Sequence, residues 1–322
     1  MKNKPTLRKQ LAVSHPTRRR FIASASTAAA VSVFPCVSLA NESRRSFKLR
    51  YLLASAMYGY GKLADILPEV KKTGATAIDI WPKVHGNQRE QIEQMGHQRF
   101  ADLLKQHHVK LGCSTCYMLG PFNLQKEMRF VAQLAGRGTV IVCGARGPNS
   151  LSGSELKSAI GTFVEKMKPQ VAVAEETGCT IAVENHAHSL LDSPDSIRWF
   201  GEMSKSEALG IALAPHHLPQ QSDLIAQIAL DLGPKVNFFY AQQHGKGATK
   251  KLPTAEMLQQ MPGRGPLDFA PIIAALRKIN YQGFTEIFMH PVPRGIPILD
   301  STAKITAEIN HSRAYLEACT KS

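Results

Sequence analysis

Two glutamates each close a short apolar run. Glu184 follows Cys179-Thr-Ile-Ala-Val and precedes Asn185-His186; Glu286 follows Gly283-Phe-Thr and precedes Ile-Phe-Met-His290. A carboxylate at the end of a buried strand is expensive to desolvate unless it meets a metal, a cation or a hydroxyl. On two strands of one barrel the pair would face each other across the mouth. That arrangement suits taking a proton from carbon and returning it.

Histidines and amides gather around them, in Glu184-Asn-His186-Ala-His188, Ala214-Pro-His216-His217, Tyr240-Ala-Gln242-Gln243-His244 and Met289-His290-Pro-Val-Pro-Arg294. Strand side chains alternate, so Glu184 and His186 share a face, as do Tyr240, Gln242 and His244. Glu184 and Glu286 are the expected catalytic pair, with His186, Gln242, His244 and Arg294 as contacts for substrate hydroxyls. Taken singly, each has a plainer explanation: a strand-end Glu caps or pairs, a loop His is solvated, and Arg294 braces a turn. Their concentration at consecutive strand ends argues for a site. Their spacing matches no zinc fingerprint such as His-Glu-x-x-His.

The elements that must position these residues alternate along the chain. Apolar runs predict strands near 48–54, 76–81, 109–115, 138–143, 179–185, 208–213, 235–241 and 283–288. Amphipathic stretches predict helices near 62–73, 90–107, 124–135, 154–177, 194–204, 221–232, 268–279 and 302–318. Leu63, Ile66, Leu67 and Val70 show the helical period, and Gly96 is a candidate break in the second helix. Ser152-Gly-Ser-Glu155 reads as a capping box, Asp268 as an N-cap, and Gly74, Gly178 and Gly233 as helix stops. Strand-then-helix repetition of this kind predicts a single parallel (β/α)8 TIM barrel. A doubly wound sheet lacks support, because no Gly-x-Gly-x-x-Gly turn follows the first strand. The one long excursion, Gln243 to Leu267, would suit a lid.

Residues 1–40 read as an address. Thr17-Arg-Arg-Arg-Phe-Ile22 fits the twin-arginine export pattern, and Ser38-Leu39-Ala40 is a small-x-small cleavage site. The apolar stretch Phe21–Phe34 is too short to span a membrane, although an uncleaved anchor is the alternative. The expected division is therefore a signal peptide at 1–40 and a barrel at 41–322, exported to the periplasm by the twin-arginine machinery. That route carries folded proteins, often with a cofactor already loaded.

The leader holds seven Lys/Arg and no Asp/Glu, so half of the formal net charge of +14 leaves with it. The remaining basic excess has no Lys/Arg run, which argues against nucleic acid as a partner. Cys113, Cys116, Cys143, Cys179 and Cys319 are too few and too scattered for a disulfide framework. Cys113-Ser-Thr-Cys116 has redox spacing, yet it reads as a strand running into a loop, and inert thiols or an incidental bridge are expected.

Four motifs carry a resemblance: Ala182-Val-Glu184-Asn-His186, Ala214-Pro-His-His217-Leu, Gly263-Arg-Gly265-Pro-Leu-Asp268-Phe269 and Tyr281-Gln-Gly283-Phe-Thr-Glu286. In these the chain resembles the xylose isomerase-like TIM barrels, the sugar isomerases and epimerases that include ketose 3-epimerases. The resemblance implies a divalent metal (Mn, Zn or Mg) held by Glu, Asp, His and Glu from strands five to eight. Glu184 and Glu286 match the two glutamates, and His217 the substrate-contacting His. The Asp falls on Ala214, which cannot bind metal, and the His falls near Gln242 or Tyr240. Two outcomes stay open: a rebuilt site in which His216 or His244 joins Glu184 and Glu286, or a site without metal.

The resemblance implies an exported enzyme that moves a proton next to a carbonyl of a sugar or keto-sugar, and it is compatible with a homo-oligomer. The same proton abstraction serves β-elimination from a keto-glycoside, and a carbohydrate-binding barrel without catalysis is a third reading. The abasic-site nucleases of the superfamily need a multi-zinc cluster with more ligands than this chain places.

Overall fold

Each strand is short and almost wholly apolar, as expected where a sheet is covered on both faces. In the computed structural model, which describes residues 47–321, these strands close into one parallel barrel in chain order, β1 to β8. They are β1 (Arg50–Ala54), β2 (Ala77–Ile80), β3 (Lys110–Thr115), β4 (Val140–Gly144), β5 (Thr180–Glu184), β6 (Leu209–Leu213), β7 (Val236–Ala241) and β8 (Phe284–Ile287). The leader at 1–40 lies outside the described residues.

The helices, α8 excepted, lie where the periodicity puts them: α1 (Leu63–Lys72), α2 (Gln88–Met95), α3 (His97–His107), α4 (Gln125–Ala135), α5 (Gly153–Thr177), α6 (Pro194–Met203), α7 (Ser222–Leu232), α8 (Thr254–Met257), α9 (Ala270–Lys278) and α10 (Thr302–Cys319). Gly96, at φ 83°, separates α2 from α3. Leu63, Ile66, Leu67 and Val70 form the buried stripe of α1. Inside the barrel a side chain at Gly112 would collide with Ala77 on the adjacent β2 and with Leu52, which reaches across from β1. Among the described residues no helix is long and apolar enough to cross a membrane.

Three local expectations are corrected. Ser152 makes no side-chain cap on α5, because Gly153 takes a positive φ of 52° at the first helical position and turns the serine aside. Asp268 acts one residue earlier than an N-cap, with Oδ1 accepting the Ala270 N–H at 2.9 Å. The excursion from Gln243 to Leu267 is not a loose flap. It contains α8 and is laced to the barrel through Gln260, whose Oε1 accepts from Gln242 Nε2 (3.0 Å) and the His290 N–H (3.1 Å), while its Nε2 donates to the carbonyls of Met257 (3.2 Å) and His290 (3.0 Å). The Gln243 side chain closes the other end between Met261 and Leu267. The five cysteines among the described residues are free and buried, as expected of inert thiols.

Candidate functional site

The C-terminal end of β5 meets a turn that the sequence around Ala214 dictates. Asn185 clamps that residue: its Oδ1 accepts the Ala214 N–H at 2.8 Å and its Nδ2 donates to the Ala214 carbonyl at 3.0 Å. Pro215 then starts one turn of 3-10 helix, Pro215–His217, closed by the His217 N–H on the Ala214 carbonyl at 3.2 Å. The turn brings both imidazoles over Glu184, whose Oε1 lies 3.9 Å from His216 Nε2 and 3.9 Å from His217 Nε2. His186 tilts over His217 with ring centroids 3.8 Å apart.

Burial, offset slightly by His186 and by the Tyr117 hydroxyl, pushes the Glu184 carboxyl up to about 7. Burial and the neighbouring histidines drive His217 down to about 3 and His216 well below its ordinary value, so both rings are neutral with free lone pairs. Both ring nitrogens of His216 and the Nε2 of His217 are buried without a hydrogen-bond partner.

A divalent cation fits this group. Candidate ligand atoms of Glu184, His216 and His217 all lie within 4.8 Å of one another. The separations are slightly wider than the roughly 3.4 Å edge of a tetrahedral zinc site, so small side-chain rotations close them. One carboxylate with two imidazoles is a donor set suited to zinc or manganese and leaves a position open for substrate. The membership differs from the expectation. His216 belongs to the group, but His217 takes the place assigned to His244, and Glu286 stays outside. His244 is exposed at its strand end, with its backbone N–H held by Gln220 Oε1 at 2.8 Å.

Glu286 sits deeper, wholly enclosed, with neither carboxyl oxygen hydrogen-bonded by a donor. Its close neighbour is Asp79 on β2, a residue whose place in a short apolar strand gave no sign of a site. Asp79 accepts from Thr115 twice, from the backbone N–H at 3.1 Å and from Oγ1 at 2.6 Å. Burial pushes Asp79 up to about 7 and, with Asp79 beside it, Glu286 well above the carboxylate range. Glu184 adds to the rise at Glu286, so the charge of one glutamate is felt at the other. Between them lie two phenols, Tyr117 and Tyr240, with their hydroxyls 3.2 Å apart and both influenced by both glutamates.

The remaining expected contacts divide. The Gln242 Oε1 is buried and unpartnered, available to a hydroxyl. Arg294 is occupied, donating from Nη1 to the Pro291 carbonyl (2.6 Å) and from Nη2 to the Ala248 carbonyl (2.8 Å), so it ties two loops together. Sequence reasoning passed over His85 altogether, and named His290 at the end of its strand without giving it a role. Both carry an unpartnered buried Nδ1, and their ring centroids lie 5.0 Å apart.

Comparison with solved structures finds the same barrel fold in other proteins. The IOLI protein solved with a zinc atom shares 14% identity at a TM-score of 0.64, over 85% of this chain and 98% of that one. D-psicose 3-epimerase with D-tagatose, from Clostridium cellulolyticum H10, shares 13% at 0.62, over 84% of this chain and 99% of that one. The 3-keto-D-glucoside 4-epimerase YcjR from E. coli, in apo form, shares 16% at 0.61, over 84% of this chain and all 100% of that one. At such identities the likeness is one of fold. No curated protein gives a significant match. Residues 67–315 match the family described as xylose isomerase-like TIM barrel, most of the barrel from α1 to α10, and the chain belongs to that family.

Proposed function

We propose that the protein is a sugar isomerase or epimerase that moves a proton at a carbon next to a carbonyl. The observation that carries this reading is the contrast between its two glutamates. Glu184, pushed to about 7, is divided between its ionised and neutral forms near neutrality, while Glu286 is held neutral. Environments that push two carboxyls apart mark out the acid and the base. Glu184 takes the proton from carbon and Glu286 supplies the one it holds beside ionised Asp79; exchange with solvent then removes the proton from Glu184 and restores the one on Glu286. The Tyr117 and Tyr240 phenols, un-ionised because burial raises both, donate toward the oxygen on which negative charge develops. His186 and Gln242 meet the substrate hydroxyls.

Glu184, His216 and His217 would hold a divalent cation, which when bound supplies further stabilisation of negative charge on a substrate oxygen. Membership of the xylose isomerase-like family and the fold shared with a 3-keto-D-glucoside 4-epimerase support a sugar or keto-sugar as substrate. The leader-like residues 1–40 support action in the periplasm.

The test is solvent exchange. Ketoses and 3-keto-glycosides are incubated with the protein in heavy water, and deuterium at the carbon beside the carbonyl is read by NMR. The wild type should place deuterium there and Glu184→Gln should not, with an unchanged fold by circular dichroism. Absence of exchange across the panel, or equal exchange by the variant, would overturn the reading. Release of the aglycone from a keto-glycoside would assign the same proton abstraction to elimination instead.

A further inference from the structure

The mouth of the barrel is chemically divided. Over β5, β6 and β7 the loops offer His186, His217, Gln242 and His244. Over β8, β1, β2 and β3 they offer the large hydrophobic side chains that stand exposed in the described chain, namely Tyr60 (44%), Val84 (55%), Met118 (75%), Leu119 (38%) and Ile296 (50%). None of these five lies on an outer helix face or at the opposite end of the barrel, where a scattered surface residue would be equally common.

Three of the five form one knit patch. The Tyr60 hydroxyl donates to the Val84 carbonyl at 3.2 Å, and the Tyr60 N–H donates to the Gly295 carbonyl at 2.9 Å. The Tyr60 ring covers Gly295 so closely that any side chain there would collide with it, which sets Ile296 alongside.

The patch continues inward. Next to Val84 in sequence, His85 packs edge-on to Trp81 at 5.3 Å and lies 5.0 Å from His290, which in turn contacts Phe288 at 4.7 Å. His290 lies 5.9 Å from His216, so the same wall reaches the group around Glu184. Burial drives His85 down to about 4, leaving a neutral ring that can donate or accept. The unpartnered Nδ1 atoms of His85 and His290 are costly to bury unless a ligand satisfies them.

We propose that His85 and His290, with Tyr60, Val84 and Ile296 at the rim, form a second subsite that receives the apolar aglycone of a glycoside. The sugar ring sits against Glu184, His186 and Gln242, and the two imidazoles take the glycosidic oxygen and a polar substituent of the aglycone. The apolar rim covers its hydrophobic face. The substrate class is thereby narrowed from free sugars to glycosides with an aromatic or similarly apolar second unit. This inference rests on the sugar-binding reading of the same site.

Equilibrium binding separates the two. Free D-glucose and D-fructose, the methyl D-glucosides and the phenyl D-glucosides (both anomers) are titrated into the full chain by calorimetry. Burial of a phenyl ring predicts that the preferred phenyl glucoside binds at least about tenfold tighter than its methyl counterpart. His85→Ala and the surface change Ile296→Ser should each remove most of that preference. Equal affinity of the wild type for phenyl and methyl glucosides overturns the aglycone subsite while leaving the sugar site in place, as does a preference that survives both changes. Binding of none of the sugars overturns both readings.

Discussion

Asp79 and Glu286 flank β1 from opposite sides, Asp79 in register with Ala54 and Glu286 with Leu52, and their carboxyl groups meet inside the barrel. Two carboxylates cannot both ionise at such a place, so the pair holds a proton between them. Thr115 donates twice to Asp79 and nothing comparable reaches Glu286, so the negative charge settles on Asp79 and the proton on Glu286. The charged and titratable groups facing them are Glu184, Tyr117, Tyr240 and the Cys113 thiol.

This pairing makes the native state acid-favouring. Both carboxyls are raised, so the folded chain keeps protons that the unfolded chain releases. Their contribution to stability is fully present below the unfolded value near 4 and is lost as pH rises through about 7. Asp79→Asn removes the like charge and should lower the titration point of Glu286. Thermal melts should then show a smaller fall in Tm from pH 5 to pH 8 than in the wild type, by a few degrees in order of magnitude. Parallel slopes in the two proteins would count against the shared proton.

Metal affinity should follow Glu184, His216 and His217 rather than His244 or Glu286. Protein purified without chelator is expected to carry or take up zinc or manganese. His217→Ala should weaken binding at least about tenfold, as loss of one of few ligands does. His244→Ala should leave metal content by elemental analysis unchanged. Full metal retention by His217→Ala would show that the ion sits elsewhere.

Asn185 is the clamp on which the imidazole positions depend. Removing its amide leaves the buried Ala214 N–H and carbonyl unpaired, so Asn185→Ala should cost about 2–4 kcal/mol in denaturant unfolding. Weakened zinc binding should accompany the loss, because the turn carrying His216 and His217 loses its anchor. A stable variant with intact affinity would demote the clamp to ordinary packing.

Gln260 has the corresponding role for the long excursion after β7. Its amide makes four hydrogen bonds, linking Gln242, Met257 and both backbone groups of His290. Gln260→Ala should destabilise the protein by roughly 2–4 kcal/mol and speed hydrogen exchange through residues 246–262. Unchanged exchange there would mean that the Gln243 contacts alone hold the segment.

Much of the architecture was legible because its cause is local. The period of Leu63, Ile66, Leu67 and Val70 places α1, Gly96 divides α2 from α3, and the apolar runs lie within a residue or two of each strand. Local signals erred where one neighbour overruled another. Gly153, turning left-handed, undid the cap that Ser152 and Glu155 spell out.

The site was legible in part. The positions of Glu184, His186 and Gln242 could be read because each sits at or just beyond the end of a strand whose alternation fixes the side it faces. His217 in place of His244 could not, since the choice depends on a single turn of helix started by Pro215 and locked by Asn185. Asp79 was hidden further. Within Ala77-Ile-Asp-Ile80 it is one polar residue in an apolar strand, and its partner lies beyond β1 near the other end of the chain. Sequence by itself determined the number, order and facing of the strands, because backbone periodicity acts over a few residues. Which acids lie side by side and which histidines gather over Glu184 were decided only by closure of the barrel, which makes neighbours of strands that the chain keeps far apart.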